Sequence, residues 1–363
     1  MRIKNVLIIG PIAPPFGGVS VHILRLTELL KDDFVFDFVD ESKNRKNDYF
    51  NLRSFNLIKY LRKIKKADVI YINSGKSSLR IFHLLLGNFF SKKIILTLHS
   101  FPKRKSKYLK LFTNRIYQLA KKTVIVNPDF KKDLVLSKDK LLVKEAFIPP
   151  LIENEPALPE YISEWISNRK MQGDTIMCAN ASSLQTFNNE DLYGIDLCIE
   201  VCKQLKKANK HICYVFVVSS IENNKEQFLQ YRKQIEVLNL QDNFLLINEK
   251  LSFVRLIQES DIVLRATNTD GDALTVREAL FLGKPVIASD VVKRPQGVSL
   301  FKNRDSKDLQ LKLINLIESN CYESEPVIIN SDSREQLKEF YFNLFESNPT
   351  KNKKFETFEM VII

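Results

Sequence analysis

Short apolar runs alternate with longer amphipathic stretches along most of the chain. In the first half, helical patterns near residues 18–31, 52–66, 78–90 and 105–120 lie between such runs. The runs predict strands and read VLIIG, FVFDFV, DVIYIN, KIILTLH and TVIVN. After the proline-rich stretch FIPPLIENEPALPE the alternation resumes, with DTIMCANA, YVFVVSS, NFLLIN, DIVLRA and KPVIASD. Strands that alternate with helices predict parallel sheets built from βαβ units.

The resumed alternation predicts an α/β protein with two Rossmann-like, doubly wound lobes. We expect an N-terminal lobe over residues 1–150 and a C-terminal lobe over residues 151–330. Residues 331–363 are expected to form a final helix and a tail that packs back toward the first lobe. Ligands of open α/β sheets bind outside the carboxyl ends of the strands. The loops after strands, on a cleft between the lobes, are therefore where we expect the site.

Charge and cysteine usage narrow the function classes. Residues 1–150 hold 30 Lys and Arg against 12 Asp and Glu, a net charge of +18, whereas the remainder has a net charge of −6. A basic first lobe favours an anionic partner such as a membrane surface or a phosphorylated substrate. Nucleic acid is disfavoured because no aromatic stacking platform is evident. Five scattered cysteines indicate reduced thiols in the cytoplasm, and the sequence shows no signal peptide or transmembrane segment.

One basic segment, FNLIKYLRKIKK at residues 55–66, has an apolar stripe formed by Phe55, Ile58, Leu61 and Ile64. This pattern suits a helix that lies on an anionic membrane. It also suits a helix that packs on a sheet and turns a basic face to solvent, which is the commoner arrangement.

Two loops of the first lobe are candidates for ligand contact. In GPIAPPFGGVSVHI, Gly17 and Gly18 allow close approach to a ligand at a helix start, although a plain turn explains them too. The loop has neither a dinucleotide fingerprint nor a P-loop, which argues against a dehydrogenase or an ATPase. His99 ends another predicted strand, where it is either a structural histidine or a group that points into the cleft. The basic run after it predicts an acceptor or membrane side at Lys103, Arg104, Lys105 and Lys107.

The stretch NTDGDALTVREALFLGKPVIASD, residues 268–290, predicts an anion-binding helix start. Asp272 is expected to cap the helix, and the first-turn amides at Leu274 and Thr275 are expected to face a diphosphate. Asp270 and Glu278 would flank that position as acceptors for sugar hydroxyls. A metal interpretation of Asp-Gly-Asp is possible but disfavoured, because one aspartate is explained as the cap.

These motifs together resemble the retaining glycosyltransferases of the GT-B fold, of the family-four or group 1 type. The resemblance includes PPFGG, the histidine after a strand, FIPP, YGIDLCIEV and the DGDALTVREALFLGKPVIASD stretch. It implies that Glu278 binds the ribose, that Asp270 holds a hydroxyl of the donor sugar, and that His99 contacts that sugar near the reacting carbon. It also implies a nucleotide-sugar donor, UDP- or GDP-linked, with no other cofactor and no metal. The donor-binding residues would be Gly17, Gly18, Gly271, Asp272, Ala273, Leu274, Thr275, Glu278 and Arg294.

The sequence departs from the family pattern in two ways. Asp270 stands where the family usually has a glutamate, and its side chain is shorter by about 1.5 Å of reach. The family also has an arginine and a lysine for the diphosphate where this chain has Ser182 or Ser183 and Tyr193. Arg265 is our candidate substitute, and Arg294 is a second one.

The resemblance implies transfer of a sugar to a lipid-linked or growing glycan in bacterial-type surface polysaccharide synthesis, such as O-antigen, capsule or exopolysaccharide. Front-face attack is the usual description of the retaining reaction, so no protein nucleophile is needed. The basic first lobe predicts a cytoplasmic enzyme that is peripheral at the inner membrane face. Three alternatives remain: a non-catalytic relative that binds sugar or lipid, a sugar-nucleotide epimerase, and a phosphorylase.

Overall fold

The computed structural model of the chain describes residues 4–14, 16–43, 45–100, 106–222, 224–319 and 334–346, without the side chain of Lys107. Contacts divide the chain into two compact units. The front unit contains the described residues of 4–14, 19–148 and 334–346. The rear unit contains residues 16–18 and the described residues of 149–319.

The front unit is built on a seven-stranded parallel sheet with the order β3-β2-β1-β4-β5-β6-β7. Its central strand is buried from Val6 onward, as a strand covered on both faces requires. The strands are β1 Lys4–Gly10, β2 Phe34–Asp40, β3 Phe50–Asn51, β4 Val69–Ile72, β5 Lys93–Leu98, β6 Lys122–Ile125 and β7 Leu141–Val143.

Helices cover both faces of this sheet. One apolar core packs under α1 and the last helix, and a second packs under α2, α3 and α4. The helices are α1 Gly18–Leu29, α2 Leu57–Lys66, α3 Ser77–Phe89, α4 Lys107–Tyr117 and, at the far end of the chain, α11 Arg334–Phe345. Short 3-10 helices span Leu52–Ser54 and Pro128–Asp133.

The rear unit repeats this plan with a six-stranded parallel sheet in the order β12-β11-β8-β13-β14-β15. A two-stranded antiparallel hairpin, β9 with β10, stands apart from it. The strands are β8 Thr175–Ala181, β9 Thr186–Phe187, β10 Glu190–Asp191, β11 Ile212–Val218, β12 Phe244–Ile247, β13 Ile262–Arg265, β14 Val286–Ser289 and β15 Val298–Phe301.

The helices of the rear unit also cover both faces, so each unit is doubly wound. One core lies under α6, α7 and α10, and the other lies under α5, α8 and α9. The helices are α5 Glu160–Met171, α6 Ile195–Lys207, α7 Lys225–Val237, α8 Phe253–Glu259, α9 Leu274–Phe281 and α10 Ser306–Glu318, with a 3-10 turn at Ile152–Asn154. The predicted α/β class with two doubly wound sheets is confirmed.

The predicted apolar stripe of the basic helix is wrong in part. Tyr60 and Ile64 are the residues that α2 buries in the core. Phe55 and Ile58, which the helical period placed on the same face as Ile64, are largely exposed. The reason is that α2 begins only at Leu57, after Asn56 caps it, so Phe55 lies outside the helix.

Within the described part of the chain, no helix combines the length and the apolarity needed to cross a bilayer.

Candidate active site

Three neighbouring strands of the rear sheet end beside the predicted donor loop. β8, β13 and β14 are adjacent, and their last residues are Ala181, Arg265 and Ser289. Because parallel strands end at the same edge, the loops that follow them meet there. This edge is the candidate active site of the rear unit.

Asp270 is the centre of a hydrogen-bonded cluster at this edge. Arg265 donates to both carboxylate oxygens, from Nε and from Nη2, at 3.0 Å each. Arg294 Nη1 donates to Oδ2 at 2.8 Å, and the Thr267 hydroxyl donates to the same oxygen at 3.2 Å. The side chains of Asp270 and Arg294 are only 8% and 3% exposed. The cluster therefore holds two arginines on one carboxylate and keeps a net positive charge.

The electrostatics of Asp270 follow from these partners. Burial acts to raise the pKa of its carboxyl, but hydrogen bonds and charge from Arg265, followed by those from Arg294, hold the pKa below its ordinary value. Asp270 is therefore an ionised acceptor at neutral pH.

Arg294 has spare donor capacity. Its Nε lies 3.4 Å from the carbonyl of Ser289, the last residue of β14. Its Nη2 is buried without a partner among the residues that the structure describes. A buried guanidinium N–H without an acceptor is costly, so an anionic ligand oxygen at this point would be favourable.

The start of α9 differs from the prediction. The N-cap residue is Ala273, whose side chain makes no cap hydrogen bond. Asp272 was predicted to be the cap, and this is wrong: its Oδ1 accepts from Arg277 Nε at 2.7 Å instead. Because Ala273 has no side-chain oxygen to cap the helix, the N-cap residue does not compete with an anion for the first-turn amides at Leu274 and Thr275.

The remaining predicted residues of this loop lie close to the cluster in sequence. The Gly271 amide donates to Asp270 Oδ1 at 3.0 Å, and the Thr275 hydroxyl donates to Asn180 Oδ1 at 3.1 Å. Glu278 is buried within α9 and is 4% exposed. Asn180 was not predicted, although its position near the end of β8 is a signal that could have indicated it.

Comparisons with known proteins bear on the fold and the family of the chain. Residues 186–339 match the sequence model of the family described as glycosyl transferases group 1. The chain resembles the group 1 glycosyltransferases.

One curated relative is poly(ribitol-phosphate) alpha-N-acetylglucosaminyltransferase of Staphylococcus aureus, 25% identical over 167 residues. That match covers 42% of this chain and 33% of the relative, so the matched segment spans about a third of the relative's length.

Solved structures match over nearly the whole chain. A glycosyltransferase from Rickettsia africae has a TM-score of 0.70 at 17% identity and covers 95% of this chain and 98% of its own. Anabaena HepE in complex with UDP and glucose has a TM-score of 0.63 at 13% identity, covering 93% and 95%. These likenesses show the GT-B fold.

The positions at which the resemblance implies two phosphate-binding cations are filled here by one connected set of side chains. The hydroxyls of Ser182 and Tyr193 are hydrogen bonded to each other at 2.6 Å. The Arg265 guanidinium lies over the Tyr193 ring, 5.4 Å from its centroid, and Nη1 lies 3.4 Å from Asn180 Oδ1. Arg265 therefore brings its charge beside Tyr193, where the resemblance implies a lysine.

In the front unit, His99 follows β5 directly and is held by a neighbouring strand end. Its Nε2 lies 2.9 Å from Asn73 Oδ1, so Nε2 carries the proton and donates. Burial lowers the pKa of His99 well below its ordinary value, and the charges of His22 and Arg80 lower it further. His99 is therefore a neutral imidazole at physiological pH.

Sequence reasoning did not single out three residues near His99. The His22 ring packs edge-on against the His99 ring, with centroids 5.0 Å apart. Asn73 is fully buried and its Nδ2 has no partner within the described ranges. Arg80 is also fully buried, with Nε donating to the Ser74 carbonyl at 2.7 Å. Asn73 follows the apolar strand β4 directly, which is a sequence signal, whereas His22 and Arg80 lie within α1 and α3 and have none.

The other predicted residues of the front half are two glycines and a basic run. Gly17 and Gly18 are exposed, α1 begins at Gly18, and a Cβ at Gly18 would meet no atom within 4 Å. Their ligand contacts stay a prediction. Lys103, Arg104 and Lys105 lie outside the described residues, and so does the side chain of Lys107, whose backbone begins α4.

Proposed function

We propose that the chain is a glycosyltransferase that moves a sugar, with retention and without a metal ion, from a nucleotide-sugar donor to a glycan acceptor. The observation that carries this proposal is the rear-unit cluster of Asp270, Arg265 and Arg294 beside the uncapped start of α9. It joins two guanidinium groups, free helix amides and an ionised carboxylate, which are the groups that a diphosphate and a sugar require.

The chemistry follows from these parts. The bond between the anomeric carbon of the donor and its phosphate oxygen breaks, and the acceptor hydroxyl oxygen bonds to that carbon on the same face. The hydroxyl proton passes to the departing phosphate oxygen. Negative charge grows on the diphosphate, and Arg265, Arg294 and the amides of α9 stabilise it there.

The carboxylates and the histidine position the donor. Asp270 accepts a hydrogen bond from a hydroxyl of the donor sugar, and Glu278 accepts from the ribose. His99 is neutral, so it meets the sugar as a hydrogen-bonding group and adds no charge. Gly17 and Gly18 leave room near the diphosphate and the acceptor.

Two similar proteins support the substrate classes. Anabaena HepE was solved with UDP, which favours a UDP-linked donor over a GDP-linked one. The S. aureus relative is named for a poly(ribitol-phosphate) substrate, which favours a phosphate-bearing or lipid-linked glycan acceptor. Both fit a role in bacterial-type surface polysaccharide synthesis.

A surface of the front unit supports work at the inner face of the cell membrane. The α2, α3 and α4 helices pack on the same core, and α2 carries Lys59, Arg62, Lys63, Lys65 and Lys66. Basic and apolar side chains side by side suit an anionic lipid surface. The large apolar side chains exposed on or beside these helices are Phe55, Leu57, Ile58, Phe82, Leu85, Phe89, Tyr108, Leu109, Leu111 and Phe112.

A cytoplasmic location is supported by the cysteines. Cys178, Cys198, Cys202 and Cys213 are free and buried. Free thiols are typical of a reducing compartment.

A donor screen tests the proposal. Purified protein is incubated with UDP-, GDP- and ADP-sugars, with and without EDTA, while its melting temperature and the release of nucleoside diphosphate are measured. We expect one donor to raise the melting temperature and to be turned over equally with EDTA present. No shift and no turnover with any donor would contradict the proposal.

One observation favours a second candidate, a non-catalytic relative that binds sugar or lipid. Both candidate phosphate-binding arginines already bind Asp270. If these ion pairs do not open, the diphosphate finds no free cation, and the donor screen gives no response.

A further inference from the structure

We propose that a basic pocket at the edge of the front sheet binds the phosphate headgroup of an anionic membrane lipid. The pocket has a volume of about 380 Å³ and lies beside β3 and the start of α2. Its polar lining includes Arg45, Lys46, Asn51, Ser54, Asn56 and Lys59. We call it the headgroup pocket. The inference deepens the membrane side of the proposed function and rests on that part of it.

The lining suits a phosphate. It contains three cations and, among its described residues, no acidic side chain. Arg45 Nη2 donates to the Arg53 carbonyl, which fixes the guanidinium and leaves its other N–H groups for a ligand. Lys59 Nζ lies over the Phe50 ring, 5.8 Å from the centroid, so an aromatic face positions this ammonium without neutralising it.

Two asparagines shape the pocket. Asn51 Oδ1 accepts from the Arg53 amide, and Asn56 Oδ1 accepts from the Lys59 amide, both at 2.9 Å. These bonds fix the backbone on either side of Phe55. The bond from the Lys59 amide occupies the side-chain oxygen of Asn56, so the side-chain NH₂ of Asn56 remains as a donor for a ligand in the pocket.

Lys46 has a different role from the other two cations. Its Nζ donates to Asp40 Oδ2 at 3.0 Å and to the Ser42 hydroxyl at 3.1 Å. Asp40 is fully buried and already accepts from the Ile12 amide. Lys46 therefore anchors the floor of the pocket, while Arg45 and Lys59 supply the charge that a ligand would meet.

An apolar tip, formed by Phe55, Leu57 and Ile58, adjoins the pocket. It favours a lipid over a soluble phosphate as the ligand. Phe55 stands between the lining residues Ser54 and Asn56 and is 90% exposed. Its φ of 55° is left-handed, a conformation that a bulky residue adopts only when its surroundings impose it. Leu57 and Ile58 follow, 55% and 66% exposed. A free phosphate ion would make no apolar contact with these side chains. A lipid would, because its acyl chains lie directly below its headgroup.

The α2 helix extends the same chemistry along its length. Lys63 pairs with Asp37, but Arg62, Lys65 and Lys66 have no carboxylate partner within the described ranges. Their positive charge favours approach to an anionic leaflet. The pocket would then select the phosphate, and the tip would enter the apolar layer.

The test is co-sedimentation of the full chain with two kinds of vesicle, phosphatidylcholine alone and phosphatidylcholine mixed with phosphatidylglycerol. The pocket variant is Arg45→Gln with Lys59→Gln, and the tip variant is Phe55→Ser with Ile58→Ser. We expect the wild-type protein to prefer the anionic vesicles. Each variant should bind them roughly ten-fold more weakly or worse.

Matched controls come from the rear unit. Lys207→Gln with Lys233→Gln removes the same charge from exposed helix positions, and Met171→Ser with Val237→Ser removes exposed apolar side chains. Both should bind vesicles as the wild-type protein does. A pocket variant that binds anionic vesicles like the wild type, or a charge control that weakens binding equally, would overturn the proposal.

Two further arms separate the possible explanations. If the wild-type protein binds inorganic phosphate at constant ionic strength but shows no preference for anionic vesicles, the ligand is a soluble phosphate and the lipid assignment is wrong. The donor screen is run on every variant. If the wild-type chain binds no donor but it and its variants bind vesicles as expected, only the transferase proposal is contradicted. If the wild-type chain binds neither kind of vesicle, the pocket proposal is overturned.

Discussion

At the scale of single residues, the account depends on Asp270 and the two arginines that share it. The carboxylate holds both guanidinium groups at one edge of the sheet. A donor diphosphate would then compete with Asp270 for them, and Asp270 would turn to a sugar hydroxyl. The Asp270 side chain is shorter than the glutamate that the resemblance implies, so in the proposed function the donor sugar would lie nearer to the strand ends.

A second residue, His22, makes the stability of the front unit depend on pH. Burial lowers its pKa to about 4, against a small opposing effect of its hydrogen bond to the Ala146 carbonyl. The unfolded chain therefore takes up a proton at a higher pH than the folded chain. Stability should be complete above the unfolded pKa of about 6.5 and fall as the pH drops toward 4, by roughly 3 kcal/mol in total.

Urea unfolding at pH 7.5 and pH 5 measures this effect. His22→Gln should reduce the loss of unfolding free energy between the two pH values, and part of it should remain because His99 is also buried as the neutral form. His211→Gln changes a histidine whose side chain is 73% exposed and is the control. Equal pH dependence in His22→Gln and the wild type would contradict the prediction.

The sequence indicated some of the residues of the site but not the hydrogen bonds that join them. Asp270 and Arg265 were found because they flank one short loop after a strand. The contact between Arg294 and Asp270 crosses 24 positions, and β14 intervenes, so no local pattern predicts it. The capping role of Asp272 was wrong because a capping preference is statistical, and here Arg277 competes for the carboxylate.

At the scale of elements, the site depends on how closely α6 approaches the end of β13. Gly194 precedes α6 with a φ of 73°. A Cβ at this position would lie 2.3 Å from the carbonyl oxygen of Ala266. The contact holds the neighbouring Tyr193 ring under Arg265, so glycine at this point positions a site residue.

Gly194→Ala should therefore destabilise the rear unit through both strain and a backbone clash. Gly173→Ala is the matched control, because its φ is 80° but a Cβ there meets nothing within 4 Å. The control should lose about 1–2 kcal/mol of unfolding free energy from the left-handed conformation alone. Gly194→Ala should lose at least ~2 kcal/mol more in urea titrations. Equal losses would show that the close approach does not matter.

The buried strands were predicted well, and the very short or exposed ones were missed. The runs that became β1, β5, β8 and β11 are apolar and buried on both faces, so their signal is strong. The hairpin of β9 and β10 has two residues per strand and is largely exposed. β15 is partly exposed at the sheet edge. Such strands depend on pairing with neighbours, which a local pattern does not record.

At the scale of the whole molecule, the alternation of strands and helices occurs twice along the chain, and this repetition predicted two doubly wound units. A parallel sheet needs helices on both faces, so an alternation that stops and resumes specifies two such sheets. The uneven charge was equally visible in the sequence. The position of the basic and apolar side chains was not, because exposure depends on which helix face meets the core.

The buried thiols give a prediction for the folded rear unit. Burial raises the pKa values of Cys178 and Cys202 to about 12 and that of Cys198 well above its usual range. Thiols react as thiolates, so iodoacetamide at pH 7.5 should leave these cysteines and Cys213 unmodified in the native protein. In urea all five should react. Mass spectrometry after brief labelling reads both states, and rapid native modification of Cys198 would contradict the packing described above.

The most direct test of the central claim is the affinity for nucleoside diphosphates, measured by titration calorimetry with UDP, GDP and ADP in EDTA. For the diphosphate that binds the wild type, Arg265→Ala should weaken binding about ten- to one-hundred-fold, because a charge-assisted hydrogen bond is lost. Adding Tyr193→Lys to that variant should restore part of the affinity, and Arg169→Ala, which breaks an ion pair with Asp242, should bind normally. Wild-type affinity in Arg265→Ala would contradict the assignment of this cluster to the diphosphate.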